Sequence, residues 1–168
     1  SPEQRSIMFV GELNEERAAD LISALLVLSQ DKQEDQERAE DIKLYISTYG
    51  GSAHEMFGIY DVMRMVREDC EINTYGFGRV MSAGVLLLAA GTKGKRRVGK
   101  NCRLMLHAVA GGNWGPIHNL ENEMEEIRWI QEQHTNALVK ETFLTKRHLK
   151  KMLDRKVDVY LDAQQAVE

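Results

Sequence analysis

Ser82 is the one hydroxyl in the apolar stretch "GFGRVMSAGVLLLAAG", Gly76 to Gly91. A serine hydroxyl is a poor nucleophile at neutral pH, and it becomes useful only beside a base that takes its proton and donors that hold an oxyanion. The sequence places it after a predicted strand and in the first turn of an apolar helix, where unpaired N–H groups and the positive end of the helix dipole favour developing negative charge. Ala83 and Gly84 leave the backbone bare enough for a carbonyl to approach. A serine at a helix start also serves as a plain cap, so its neighbours in space decide its use. Three other features bear on that. The glycine pair in "TYGGS" permits unusual dihedrals and close approach, which suits Gly51 N–H to a second oxyanion donor and equally suits a tight strand-to-helix turn. His107 in "RLMLHAVAGG" is expected on a strand with Arg103 and Met105 on its own face and Leu104 and Leu106 on the other. Asp158 in "DRKVDVYLDAQQAVE" is flanked by Val157, Val159 and Tyr160, and a carboxylate in such company wants a partner, either an imidazole N–H or a helix N-terminus.

Those residues need elements to carry them. Short β-branched or aromatic runs alternate with longer helix-period segments, the pattern of an α/β domain with largely parallel strands. "IMFV" predicts a first strand, and "NEERAADLISALLVLSQ" a helix capped by Asn14, with Ala18, Leu21, Leu25 and Leu28 at spacings of three and four. "IKLYIS" predicts a second strand broken by "TYGGS", and "AHEMFGIYDVMRMV" a helix with Met56, Ile59, Met63 and Val66 in the core. "EINTYGFG" follows as a third strand and Gly76–Gly91 as the third helix, and "GKRRVG" with "NCRLMLHAVAGG" reads as a strand pair. After Pro116 a long helix carries Ile117, Leu120, Met124, Ile127, Gln131, His134 and Leu138 near a heptad spacing, so one face wants a partner. "KRHLKKMLD" and "DAQQAVE" predict two short closing helices.

Composition and the remaining motifs narrow the function. At 168 residues and 43% hydrophobic content the prior is one domain with one core. With 22 basic against 26 acidic residues the net charge is −4, which excludes recruitment of nucleic acid or anionic membrane by a global field. The run Val80–Ala90 falls short of the roughly twenty residues of a membrane span. Cys70 and Cys102 lie far apart with no leader pattern, so a reducing compartment is expected, and the start "SPEQRSIMF" gives the expectation of a processed or trimmed N-terminus. Cys102 and His107, five apart on one strand, would face opposite ways, which counts against a thiol dyad. His54-Glu55 lacks the second histidine of the helical zinc motif, so no metal is expected. The basic residues from Lys93 to Lys100 read as a solvated edge.

From Ile7 to Glu168 the chain resembles the proteolytic subunit of the Clp protease, the ClpP family of self-compartmentalising serine peptidases. The likeness lies in "LYISTYGGS", "GRVMSAGVLLLAAGTKGKR", "NCRLMLHAVAGG" and "VDVYLDAQQAVE", four stretches in the family's order. The resemblance implies a crotonase-like spiral of ββα units over 1–168 with a projecting strand-helix handle at about 109–138, and "VAGGNWG" leading the handle. It casts Ser82 as nucleophile, His107 as general base then acid, Asp158 as its orienter, and Gly51 and Ala83 N–H as the oxyanion hole. The order Ser, His, Asp differs from the orders in chymotrypsin-like, subtilisin-like and α/β-hydrolase enzymes. An extended polypeptide would pair with the segment Gly50, Ser52 and Ala53 on one side and Val109 and Gly111 on the other. The resemblance further implies two stacked heptameric rings, a separate AAA+ unfoldase that consumes the ATP, no cofactor in this chain, and a cytoplasmic or equivalent setting. Here Ser47, Thr48 and Tyr49 stand where the family has Asn-Ser-Pro, Ala108 and Val109 where it has Gln-Pro, and Val157 where it has the arginine that couples ring to site. Those departures keep a second expectation open, a silent or conditionally active subunit of a mixed ring. A crotonase-type acyl-CoA enzyme is the third, disfavoured because the Ser/His/Asp set would then have no role.

Overall fold

The computed structural model describes residues 4–109, 116–154 and 157–168. The chain divides into two compact units, Ser1–Met105 with Tyr160–Glu168, and Leu106–Val159.

The first unit is built of repeated strand-helix steps. β1 (Ser6–Leu13), α1 (Glu15–Gln30), β2 (Ile42–Gly51), α2 (Ala53–Val66), β3 (Ile72–Met81) and α3 (Ala83–Ala89) follow one another, and then come β4 (Arg96–Val98) and β5 (Arg103–Leu106). The strands lie in the order β1-β2-β3-β5-β6, where β6 is Val159–Leu161, and β4 pairs with β3 off that path. Every pairing from β1 to β5 is parallel, as helical crossovers require. Along β2 the even residues Ile42, Leu44, Ile46 and Thr48 are buried and the odd ones face outward, so one sheet face is covered. Leu25 of α1, Ile59 and Met63 of α2 and Leu86 and Leu87 of α3 are fully buried, each worth about 2 kcal/mol in removed apolar surface. The expected cap holds: Asn14 Oδ1 accepts the Arg17 N–H at 2.9 Å and starts α1. Met56 and Met63 belong to the core, as their spacing predicts.

Four expectations need correction. β2 does not break at "TYGGS" but runs through Gly51, because Leu13 and Gly51 are still paired across β1 and β2. β3 continues to Met81, so the third helix is only Ala83–Ala89 and Ser82 stands at its N-cap rather than in its first turn. β4 and β5 do not pair with each other; each pairs with β3, Arg96–Val98 against Thr74–Gly76 and Arg103–Met105 against Arg79–Met81. β5 ends at Leu106, so His107 follows the strand instead of lying on it.

In the second unit α4 (Ile117–Glu141) and α5 (Lys146–Leu153) pack together. Thr145 caps α5 by accepting the His148 N–H at 3.1 Å, and Leu149 and Leu153 are buried. Of the heptad face expected on α4, His134 and Leu138 are buried, whereas Ile117 and Met124 toward the N-terminus are 75% and 49% exposed. The expected handle strand "VAGGNWG" has Ala110–Gly115 outside the described residues.

Candidate active site

Ser82 joins β3 to α3 through a backbone that L-residues avoid, with φ 56° and ψ −121°. A side chain held there costs roughly 1–3 kcal/mol and persists only when its surroundings over-determine it. Those surroundings are visible. The Ser82 N–H donates to Met105 O on β5 at 2.8 Å, and the Ser82 side chain makes no capping hydrogen bond to α3. The plain cap is therefore not its role.

The end of β2 closes on the same turn. Gly50 has φ 99°, and a Cβ placed on it would lie 2.8 Å from Ser82 Cβ and 3.3 Å from Ala83 N. Gly51 has φ 156°, and its Cβ would lie 2.1 Å from Leu13 O, so only glycine fits. Thr48, fully buried, fixes this turn: its Oγ1 donates to Gly11 O and accepts the Gly50 N–H, the latter at 3.0 Å. Ser52 then caps α2, its Oγ accepting the Glu55 N–H at 3.5 Å and donating to the Glu55 carboxylate. Ala53 opens that helix, and Ser52 N–H donates to Leu13 O at 3.0 Å. Tyr49 leaves this knot outward, 48% exposed, with the Arg79 guanidinium carbon 5.4 Å from its ring centroid. It is held against β3.

Ser82, Gly50, Gly51, Ser52, Ala53 and Ala83 thus belong to the first unit, and the first three with Ala83 are gathered at one turn. His107, Val109 and Asp158 belong to the second. Gly111 lies outside the described residues. His107 is half-buried, and Val109, two residues on, donates its N–H to Gln131 Oε1 of α4 at 2.6 Å. Gln131 Nε2 in turn donates to Thr135 Oγ1 at 3.4 Å. Asp158 is exposed, between Val157 and Val159. His134, on the same face of α4, is buried, and burial first, with the charge of His107 second, lowers its pKa to about 4. Sequence reasoning read Gln131 and His134 only as helix positions; two polar residues interrupting an apolar repeat were the available signal. Burial raises the Cys102 thiol, which makes it a poor nucleophile. Among the described residues no three His, Cys, Asp or Glu side chains are grouped to hold a metal, and no helix is long and apolar enough to cross a membrane.

The Clp protease family model matches residues 2–168. The chain belongs to the Clp protease family. It is 36% identical over 163 residues to a protein named ATP-dependent Clp protease proteolytic subunit 1 from Prochlorococcus marinus subsp. pastoris (strain CCMP1986 / NIES-2087 / MED4), covering 96% of this chain and 79% of the relative. A protein of the same name from Prochlorococcus marinus (strain MIT 9312) is 35% identical over the same shares. The parallel-dominated α/β sheet fits Clp protease membership, and the chain is a peptidase, a hydrolase by class. Within this Clp protease subunit the departure at Thr48 is absorbed without loss of the glycine turn, since the threonine hydroxyl itself holds Gly50 N–H.

Proposed function

We propose that this chain is a serine endopeptidase subunit of a self-compartmentalising barrel, and the observation that carries the reading is the strained, uncapped Ser82 turn packed on Gly50. Ser82 Oγ attacks the scissile carbonyl carbon while His107 takes its proton. The N–H groups of Gly51 and Ala83 hold the oxyanion, and His107 returns the proton to the leaving amine. Water, deprotonated by His107, then cleaves the Ser82 ester. Asp158 orients the imidazole throughout. The substrate strand pairs with backbone from Gly50, Ser52 and Ala53 on one side and Val109 and Gly111 on the other, which reads few side chains and gives broad specificity. Two stacked rings of seven copies enclose the sites, a separate AAA+ unfoldase feeds unfolded polypeptide and spends the ATP, and this chain needs no cofactor. The setting is cytoplasmic or its organellar equivalent.

The test is labelling by a fluorophosphonate, read by mass spectrometry, with hydrolysis of a small peptide ester. Wild type is expected to be labelled at Ser82 and Ser82→Ala to lose both label and hydrolysis while keeping its oligomeric mass. Retained hydrolysis in Ser82→Ala defeats the reading. One observation favours a second reading, a conditionally active subunit of a mixed ring: Asp158 is exposed, and Val157 stands before it in place of an arginine. Hydrolysis that appears only on adding a sister subunit would select it.

A further inference from the structure

Gln131, His134, Thr135 and Leu138 share one face of α4 through spacings of three, four and seven. Gln131 carries this face to the segment that begins at His107, because its carboxamide oxygen holds the Val109 N–H at 2.6 Å and its amide reaches Thr135. His134 lies between these anchors, 5% exposed, and its Nε2 is buried with no hydrogen-bond partner among the described residues.

An orphaned buried polar atom costs about 1–3 kcal/mol, and a leucine or methionine there would cost nothing of the kind. A buried unsatisfied group in a native structure calls for an explanation, and a partner that arrives in another state of the protein is one. A state that supplies such a partner is the one with polypeptide at His107. Burial and the nearby His107 keep His134 uncharged at neutral pH, so its ring offers a neutral donor or acceptor and no charge. A neutral partner suits a hydroxyl or carboxamide; an ammonium or carboxylate would enter a dry site with no countercharge.

We propose that Nε2 of His134 is a specificity-determining atom that hydrogen-bonds an uncharged polar side chain of the polypeptide substrate, a hydroxyl or a carboxamide, next to the cleaved bond. The inference rests on His107 acting at that bond, as in the function proposed above. It makes the site selective where backbone pairing alone would not be. A site that hydrogen-bonds a substrate group rejects the analogue lacking it far more strongly than an apolar pocket rejects a methylene.

The experiment uses the full chain and matched fluorogenic peptides differing only at a residue flanking the cleaved bond: Thr against Val, Gln against Met, Tyr against Phe. In wild type, kcat/KM is expected to favour the polar member of at least one pair about tenfold. His134→Met should bring that ratio to about one, and His134→Gln, which keeps a neutral donor and acceptor, should restore most of it. Equal ratios in wild type and His134→Met overturn the proposal, and leave a trapped water as the partner of Nε2. Fluorophosphonate labelling of Ser82 in the same preparations separates the two failures: label without selectivity sinks this inference alone, and no label sinks the catalytic reading. In the latter case fluorescence anisotropy of the same peptides on Ser82→Ala decides the inference, and equal affinity within every pair overturns it.

Discussion

Ser82 and Asp158 sit on backbone of contrasting kinds. The Ser82 turn is held from three sides: its N–H on Met105 O, Gly50 against its Cβ, and the buried Thr48 hydroxyl locking the glycines below. Asp158 is exposed beside Val157, one residue before the three-residue β6. The difference teaches where each part of the chemistry is set. The position of Ser82, the proposed nucleophile, is built into the sheet and cannot relax without the fold relaxing, whereas Asp158, the carboxylate proposed to orient His107, stands exposed.

Asp158→Asn tests the exposed side and carries the largest expected effect. Peptidase activity should fall on the order of 10³-fold, about 4 kcal/mol in transition-state stabilisation. Urea unfolding should move by less than about 0.5 kcal/mol, since an exposed carboxylate gives up little buried surface on substitution. A large stability loss would erase the contrast. Gly51→Ala tests the held side. Its Cβ would fall 2.1 Å from Leu13 O, so folding stability is expected to drop by about 3 kcal/mol or more, read by denaturant midpoint. An unchanged midpoint would mean that the turn has slack.

His134 adds a pH dependence to the second unit. Its folded pKa, about 4, lies below the ordinary 6.5, so below pH 6.5 the unfolded chain takes up a proton that the native chain refuses. Stability present above pH 6.5 is lost as pH falls toward 4, by about 3 kcal/mol in all. His134→Met should flatten that decline, and parallel Tm-against-pH curves for the two proteins would count against it. The smallest effect sharpens the comparison most. Ser82→Gly removes the cost of φ 56° and should raise stability by about 1 kcal/mol over Ser82→Ala while both lack activity. Equal midpoints would show that the turn stores no strain.

The contrast also marks what could be read from residues in a row. Asn14 with its three-and-four spacing of leucines gave α1 to the residue, because cap and apolar stripe are local signals. The glycine pair reads in the sequence as a strand break because its cause is remote: β1 comes so close at Leu13 that only bare backbone can continue β2. Nothing local in "VMSAG" signals a positive φ, so the sequence suggests Ser82 in the first turn where the structure has it at the N-cap. That β4 and β5 both choose β3 is settled by which edge is vacant, a property of the folded sheet. His134 reads in the sequence as one more heptad position, and its significance comes only with a buried Nε2 that has no hydrogen-bond partner among the described residues.

The division of one β3 edge between β4 and β5 has a practical consequence. Gly99 N–H anchors to Gly76 O at 2.7 Å and Cys102 N–H closes back on Gly99 O at 3.0 Å, so each short strand is fastened on its own side of the exposed pair Lys100 and Asn101. Chain lengthened at that pair is expected to give up the Cys102–Gly99 bond and to keep the Gly99–Gly76 bond and the pairing of β5 with β3. Its exposed residues make it a locus for a reporter tag.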